Sequence, residues 1–311
     1  MRSGEAPRGR PTGGARGYAL LDAGDGRRLE RFGSLVLDRP APGATDRRRE
    51  PARWLDADLR FDPGRGWSGR AAPADPWEVE IDGLVIELRP TSSGGLGLYP
   101  EHLANLAWLD AEVRARLAHG RRVTVLNLFA HTGLATLAAA RAGAAVTHVD
   151  AARASVAWAR RNAERNGLAE GEIRWLVDDA QAFVDREARR GHRYAGVILD
   201  PPSAGHGRAG RWTLRDDLPR LLAACAAIAA DDAFVLLTAH TTGVSGEALG
   251  AMLHEAFPRR GERPQVAALT MRTESGATLG LGWAVRFGTA RQSATARVGP
   301  ADGTSAPDAA P

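Results

Sequence analysis

The chain has 311 residues, 44% of them hydrophobic, with 41 basic residues against 37 acidic ones and a formal net charge of +4. That is enough apolar material to bury a full core in one large domain or two unequal ones, which excludes a disordered or fibrous protein. A single cysteine, Cys225, excludes an internal disulfide and a cysteine-rich metal site, and the longest apolar run, Leu221–Ala230, is too short to span a bilayer.

Every basic residue is arginine, a usage that reads as coding bias before it reads as adaptation to RNA. Residues 1–70 carry fifteen arginines against ten acids, so the surplus sits early in the chain, where it can hold phosphates or simply solvate a surface. The segments 1–16 and 289–311 lack periodicity and are rich in Gly, Pro, Ser, Ala and Arg, so both are expected to be tails. No apolar stretch follows the first charges, which places the protein in the cytoplasm as an expectation.

Tyr18–Leu21 and Leu29–Leu37 are strand-like around the turn Gly24-Asp25-Gly26, and Trp77–Ile81 pairs with Leu84–Leu88 across Asp82-Gly83. A β-rich lobe over 17–90 is therefore expected, with 40–76 too rich in Pro, Gly and Arg to assign. From Glu101 the pattern alternates: helix 101–118, strand 122–128, helix 133–142, strand 145–149, helix 151–165, strand 172–177, helix 179–190, strand 194–199. A helix over 214–230, strand 233–238, helix 245–256 and strands 265–271 and 279–287 follow. The fold class is α/β, a Rossmann-like sheet of about seven strands.

Polar residues close the parallel strands at the edge where such sheets bind ligands. The loop after strand 122–128 carries Asn127, Phe129, Thr132 and Gly133 but no G-x-G-x-x-G. Bulk in Phe129-Ala130-His131-Thr132 argues against a dinucleotide and a dehydrogenase, and a nucleotide without phosphates, S-adenosylmethionine, fits better. Asp150 closes the second strand and either accepts from a ribose diol or caps the next helix. Asp178-Asp179 close the third in the same way; Asp179, followed by Ala180, is the choice for an adenine amino group, with helix capping as the alternative. The fourth strand delivers Asp200-Pro201-Pro202-Ser203, where the prolines leave rigid carbonyl acceptors that suit a methyl-transfer site. His131, His206 and His240 stand beside these motifs as possible bases.

The segments LRPTSSGGLGLYPEHLANLAWL, VLNLFAHTGLATLAAARAGA, VTHVDAARASVAWARRNAERNGL, VDDAQAF, VILDPPS and FVLLTAHTTG together resemble class I S-adenosylmethionine-dependent methyltransferases related to the enzymes that modify large-subunit ribosomal RNA at cytosine C5 or guanine nitrogens. The resemblance covers about 80–290 and implies a methyltransferase domain over 91–288. It implies that Tyr99 and Glu101 lie near the methionine part of the cofactor, Asn127 and Gly133 line the first loop, Asp150 takes the ribose, Asp179 the adenine, and Asp200 with Pro201 faces the reacting centre. Three departures bear on the substrate: Thr241 stands where cytosine-C5 enzymes carry a cysteine, His131 and Leu134 replace the usual tyrosine and glycine, and Ala204 replaces an aromatic residue after Pro-Pro-Ser. The expectation is a metal-free methyltransferase acting on RNA, ribosomal RNA favoured, at a nitrogen. A small-molecule methyltransferase and a non-catalytic cofactor-binding relative are the alternatives.

Overall fold

A computed structural model describes residues 17–70, 76–207, 210–258 and 261–288; the two expected tails lie outside these residues. The lobe contains β1 (Tyr18–Gly24), β2 (Arg27–Phe32), β3 (Leu35–Pro40), a 3₁₀ turn at Pro51–Asp56, β4 (Leu59–Asp62) and β5 (Gly66–Gly69), paired in that order as one five-stranded sheet. The expected single strand Leu29–Leu37 is two strands, because Gly33 enters the left-handed region at φ 62° and folds Leu35 back opposite Phe32. The unassigned stretch supplies the 3₁₀ turn, β4 and β5. Next comes the expected hairpin, β6 (Trp77–Ile81) and β7 (Leu84–Leu88), with Asp82 at φ 50° and Gly83 at φ 69°. That pair of positive angles matches the right-handed strand twist and makes the two-residue turn favourable. The hairpin forms its own sheet and does not extend the lobe's.

A 3₁₀ turn at Pro100–His102 leads into α1 (Leu103–Ala118), then β8 (Thr124–Leu128), α2 (Leu134–Arg141), β9 (Ala145–Asp150), α3 (Arg153–Arg165), β10 (Ile173–Val177), α4 (Ala180–Arg189) and β11 (Tyr194–Leu199). An unanticipated hairpin, β12 (Ala204–Gly207) and β13 (Gly210–Thr213), precedes α5 (Leu214–Ile228), β14 (Ala229–Ala239), α6 (Gly246–Ala256), β15 (Gln265–Arg272) and β16 (Thr278–Phe287). The sheet runs β10-β9-β8-β11-β14-β16-β15, its first five strands parallel and β16 antiparallel to both neighbours. Leu126, Leu128, Val197, Leu199, Val235 and Leu237 are fully buried, as strands covered on both faces require. Strand order reverses between β8 and β11, so a crevice opens at their carboxyl ends.

One core runs from the lobe into the sheet, joining Leu20, Phe32 and Leu37 with Leu88, Leu98, Leu106 and Leu279. The β6–β7 hairpin is fixed to α3 by a buried knot: the Glu87 carboxylate accepts from Arg89 and Arg161 and pairs with Arg165, while the Glu87 amide donates to Asn162 at 2.9 Å. The β15–β16 turn reaches the lobe, where the Glu274 and Ser275 amides donate to the carbonyls of Leu20 (2.8 Å) and Leu21 (3.2 Å). Among the described residues no helix is long and apolar enough to cross a membrane.

Candidate active site

A cleft of about 880 Å³ opens at the carboxyl ends of β8, β9, β11 and β14, with one wall from the lobe. Tyr99, Glu101, Phe129, Asp150, Asp179, Ala180, Asp200, Pro201 and Pro202 all line it. Asn127, Thr132 and Gly133, expected among the ligand-binding residues, line an adjoining cavity of about 60 Å³ that shares Tyr99, Phe129, His131 and Asp200 with the cleft. The Asn127 amide donates to Thr136 Oγ1 at 2.9 Å, Thr136 bonds His148 Nδ1 at 3.0 Å, and the Thr132 hydroxyl donates to the Gly97 carbonyl. These side chains are buried polar groups that need protein partners, and satisfying them turns them inward. Their side chains shape the loop that borders the cleft.

The loop itself is left-handed at every second residue, with φ 55° at Phe129, 49° at His131 and 94° at Gly133. Glycine-rich phosphate loops use such geometry freely; here two bulky residues adopt it at a cost of about 1–3 kcal/mol each. The strain persists because neighbours hold it: the Ala130 amide donates to the Val149 carbonyl at 3.1 Å and the His131 amide to Asp150 Oδ2 at 2.8 Å. Glycine is required only at Gly133, where an added Cβ would lie 3.0 Å from the Ala159 methyl.

Asp150 does not cap α3, whose N-cap is Ala152 with no side-chain bond; both its oxygens instead accept from loop amides. Its Oδ1 accepts from the Ala152 amide and its Oδ2 from the His131 amide, each at 2.8 Å, and each oxygen retains a second lone pair for a ribose hydroxyl. Asp179 caps α4, its Oδ1 accepting from the Ala182 amide at 2.9 Å, while Asp178 pairs with Arg186. The Pro202 carbonyl, expected as an open acceptor, takes the indole N–H of Trp212 at 3.0 Å.

Asp200 is the hub of the cleft floor. His102 Nε2 lies 3.1 Å from its Oδ2, His240 Nε2 3.4 Å from its Oδ1, and the Thr238 hydroxyl donates to Oδ1 at 2.6 Å. Burial alone would raise the carboxyl, but the charge and hydrogen bond of His102, followed by those of His240, hold it well below the usual carboxylate range. Burial opposes charge on His240 as well; hydrogen bonding to Asp200, the charges of Asp200 and Glu101, and the Leu281 carbonyl bonded to Nδ1 override it and push the imidazole up to about 9. His102 is raised in the same way, against burial, chiefly by Asp200. His131 moves in the opposite direction, because burial outweighs the attraction of Asp150 and Asp200 and leaves a neutral ring on the cleft wall. Of the imidazoles considered as bases, His240 is therefore a cation with both ring nitrogens engaged, His131 is neutral, and the side chain of His206 lies outside the described residues.

The ligand atoms of His102, Asp200 and His240 lie within 4.8 Å of one another, a spacing a divalent cation could bridge. As arranged, they form an ion-paired cluster. Glu101 gives the test of fit for S-adenosylmethionine: its Oε2 is buried with no hydrogen-bond partner among the described residues, beside the half-exposed ring of Tyr99. A buried carboxylate oxygen in that state calls for a cationic donor, and the cofactor's α-ammonium is one. With Asp150 positioned for a diol, the two ends of the cleft match the two ends of the cofactor.

Three residues at the site escaped the sequence reading. Arg28 reaches the cleft wall from the lobe strand β2 and Trp212 from the β12–β13 hairpin, while His102, from the 3₁₀ turn before α1, lines the smaller cavity and pairs with Asp200. None ends a parallel strand, and only the folded chain brings them to the crevice.

Residues 40–249 match the family model described as S-adenosylmethionine-dependent methyltransferase. The structure is similar to a SAM-dependent methyltransferase from Agrobacterium tumefaciens, with a TM-score of 0.82 and 33% identity over 93% of this chain and 97% of that one. Ribosomal RNA large subunit methyltransferase K/L of Allochromatium vinosum is 39% identical over 99 residues, 32% of this chain and 13% of that protein. Methyltransferase I of Shewanella denitrificans, also named for the large-subunit ribosomal RNA, is 30% identical over 141 residues, 45% of this chain and 34% of that protein. The chain thus spans a minor part of these two relatives. With a family match across most of its length, a neighbour of nearly equal extent and a cleft that fits the cofactor at both ends, the chain belongs to the S-adenosylmethionine-dependent methyltransferases.

Proposed function

We propose that the chain transfers a methyl group from S-adenosylmethionine to a nitrogen of structured RNA, with ribosomal RNA favoured. The observation that carries the choice of atom is a cleft floor built on a carboxylate and two imidazoles, with no thiol within reach. Cys225, the chain's one cysteine, is fully buried in α5, where burial pushes its thiol up, and the Thr241 hydroxyl donates to Ser203 Oγ at 2.8 Å. Carbon 5 of a pyrimidine needs a covalent nucleophile, whereas a nitrogen brings its own lone pair.

When bound, S-adenosylmethionine supplies a methyl group carried on a sulfonium sulfur. Asp150 would hold the ribose, Asp179, Ala180 and Phe129 would line the adenine end, and Glu101 with Tyr99 would hold the amino-acid end. Pro201 and Pro202 stiffen the floor, so that the accepting nitrogen is aligned by a rigid backbone. Asp200 works through its neighbours: with its oxygens already engaged, it holds His102 and His240 as a fixed, charged cluster beneath the acceptor. The neutral His131 takes the proton that the nitrogen sheds.

The acceptor class rests on the names of the relatives. A small-molecule acceptor is the second reading, favoured by the lobe, where Arg27, Arg39, Arg53 and Arg60 are paired with acids of this same chain. A cytoplasmic location accompanies the RNA reading. The test is methyl transfer from labelled cofactor to ribosomal RNA fragments, mapped by mass spectrometry of nucleosides. Asp200→Asn should lower transfer by about a hundredfold or more while S-adenosylhomocysteine affinity changes only a few-fold. A covalent adduct with RNA containing 5-fluorocytosine, or label in small molecules and never in RNA, overturns the proposal.

A further inference from the structure

The aromatic residue missing at Ala204 has a replacement in space. Trp212 lines the cleft from β13, its indole N–H donating to the Pro202 carbonyl two residues beyond Asp200, its ring 5.6 Å from that of Phe129 with the planes tilted by 47°. Both strands of the hairpin are tied down next to it. The Leu214 amide donates to the Ser203 carbonyl at 3.1 Å, and Thr213 caps α5 while its amide donates to Asp217 at 2.7 Å. The ring is therefore held in place rather than swinging on a free loop.

The residue opposite Trp212 matters equally. In an antiparallel pair, directly opposed residues share a face, so a side chain at that position would cover the indole. The partner is Gly205, and a Cβ built there meets nothing nearer than Pro202 Cγ at 3.9 Å. A tryptophan left uncovered by its cross-strand neighbour, tethered by its N–H and half-buried at the methyl-transfer floor, offers a flat apolar face to whatever enters.

We propose that Trp212 is the stacking surface for a planar heteroaromatic ring of the acceptor, a nucleobase in the RNA reading on which this inference builds. The ring selects flat acceptors over aliphatic amines, and it does so from a position in the chain where the family's aromatic residue does not stand.

The experiment uses the full chain loaded with S-adenosylhomocysteine and single-stranded oligoribonucleotides carrying 2-aminopurine, whose fluorescence is quenched on stacking. Wild type should quench the probe, Trp212→Phe should retain most of the effect, and Trp212→Leu should lose the quench and bind roughly tenfold to a hundredfold more weakly. Calorimetry should give unchanged S-adenosylhomocysteine affinity in all three. Equal probe binding by Trp212→Leu overturns the inference, as does loss of S-adenosylhomocysteine affinity with probe binding intact, which would assign the ring to the cofactor's adenine. If wild type binds S-adenosylhomocysteine but none of the oligoribonucleotides, the RNA reading fails by itself. The same three proteins titrated with free guanosine and cytidine then decide the stacking inference: weaker binding by Trp212→Leu upholds it, and equal binding overturns it.

Discussion

Asp200 and its two imidazoles make the site sensitive to pH in a calculable direction. His240 titrates near 6.5 when exposed and near 9 in the folded chain, so the stabilisation from its charge is complete below pH 6.5 and is lost as pH rises through 9. Asp200 sets the opposite limit, its share being present above the ordinary carboxylate value of 3.8 and lost on strong acidification. The His240 side chain is 30% exposed, so screening reduces the effect to about 1–2 kcal/mol. Thermal melts should therefore show His240→Asn a few degrees below wild type at pH 6, with the gap closing above pH 9; a constant gap would mean that the ring acts by packing alone. Asp150 carries the second residue-scale prediction. A hydrogen bond to a charged group contributes about 1.5–3 kcal/mol, so Asp150→Ala should weaken S-adenosylhomocysteine binding roughly tenfold to a hundredfold by calorimetry. Equal affinity in the variant would remove Asp150 from the cofactor's contacts.

At the scale of elements, legibility follows the reach of the signal. The βα alternation after Glu101 could be read because apolar strands and amphipathic helices carry their periods locally, and Asp82-Gly83 announced its hairpin because the turn needs two positive φ angles in adjacent residues. Gly33-Ser34 hid the break between β2 and β3, since hydrophobic residues continue on either side and one glycine fits a strand as well as a turn. Asn127 and Thr132 could be placed in the loop from sequence, but not their hydrogen-bond partners. Which way a side chain turns there depends on Thr136 and Gly97, partners that sequence spacing does not identify. The Glu87 knot was equally invisible, because it joins β7 to α3 across 74 residues. Removing that carboxylate leaves arginines without their shared anion, so Glu87→Ala should cost about 3 kcal/mol in urea unfolding. A loss under 1 kcal/mol would show that solvent replaces it.

At the scale of the whole molecule, the basic surplus before residue 70 reads in the sequence either as a phosphate-holding face or as a solvated surface, and the fold pairs part of it internally. Arg48 lies 4.0 Å over the Trp54 ring, Arg49 reaches the Ser275 carbonyl, and Arg27 and Arg39 sit against Asp38 and Glu30. Replacing Arg47, Arg48 and Arg49 together would therefore disturb the lobe as well as any RNA contact, whereas exposed Arg47 and Arg65 can be changed with less disturbance. If phosphates are held there, Arg47→Ala with Arg65→Ala should reduce the slope of log affinity against log salt by up to about two for ribosomal RNA fragments, with melting unchanged. An unchanged slope would move the contact surface elsewhere.

The β15–β16 hairpin gives the molecule a mechanical property. Its turn is fastened to β1 through Leu20 and Leu21, while Leu281 on its outgoing strand receives the His240 N–H and forms part of the cleft rim. The hairpin is thus a strut between the lobe and the catalytic floor. A load applied to the lobe therefore has a hydrogen-bonded route to the imidazole at Asp200, beside the core that lobe and sheet share.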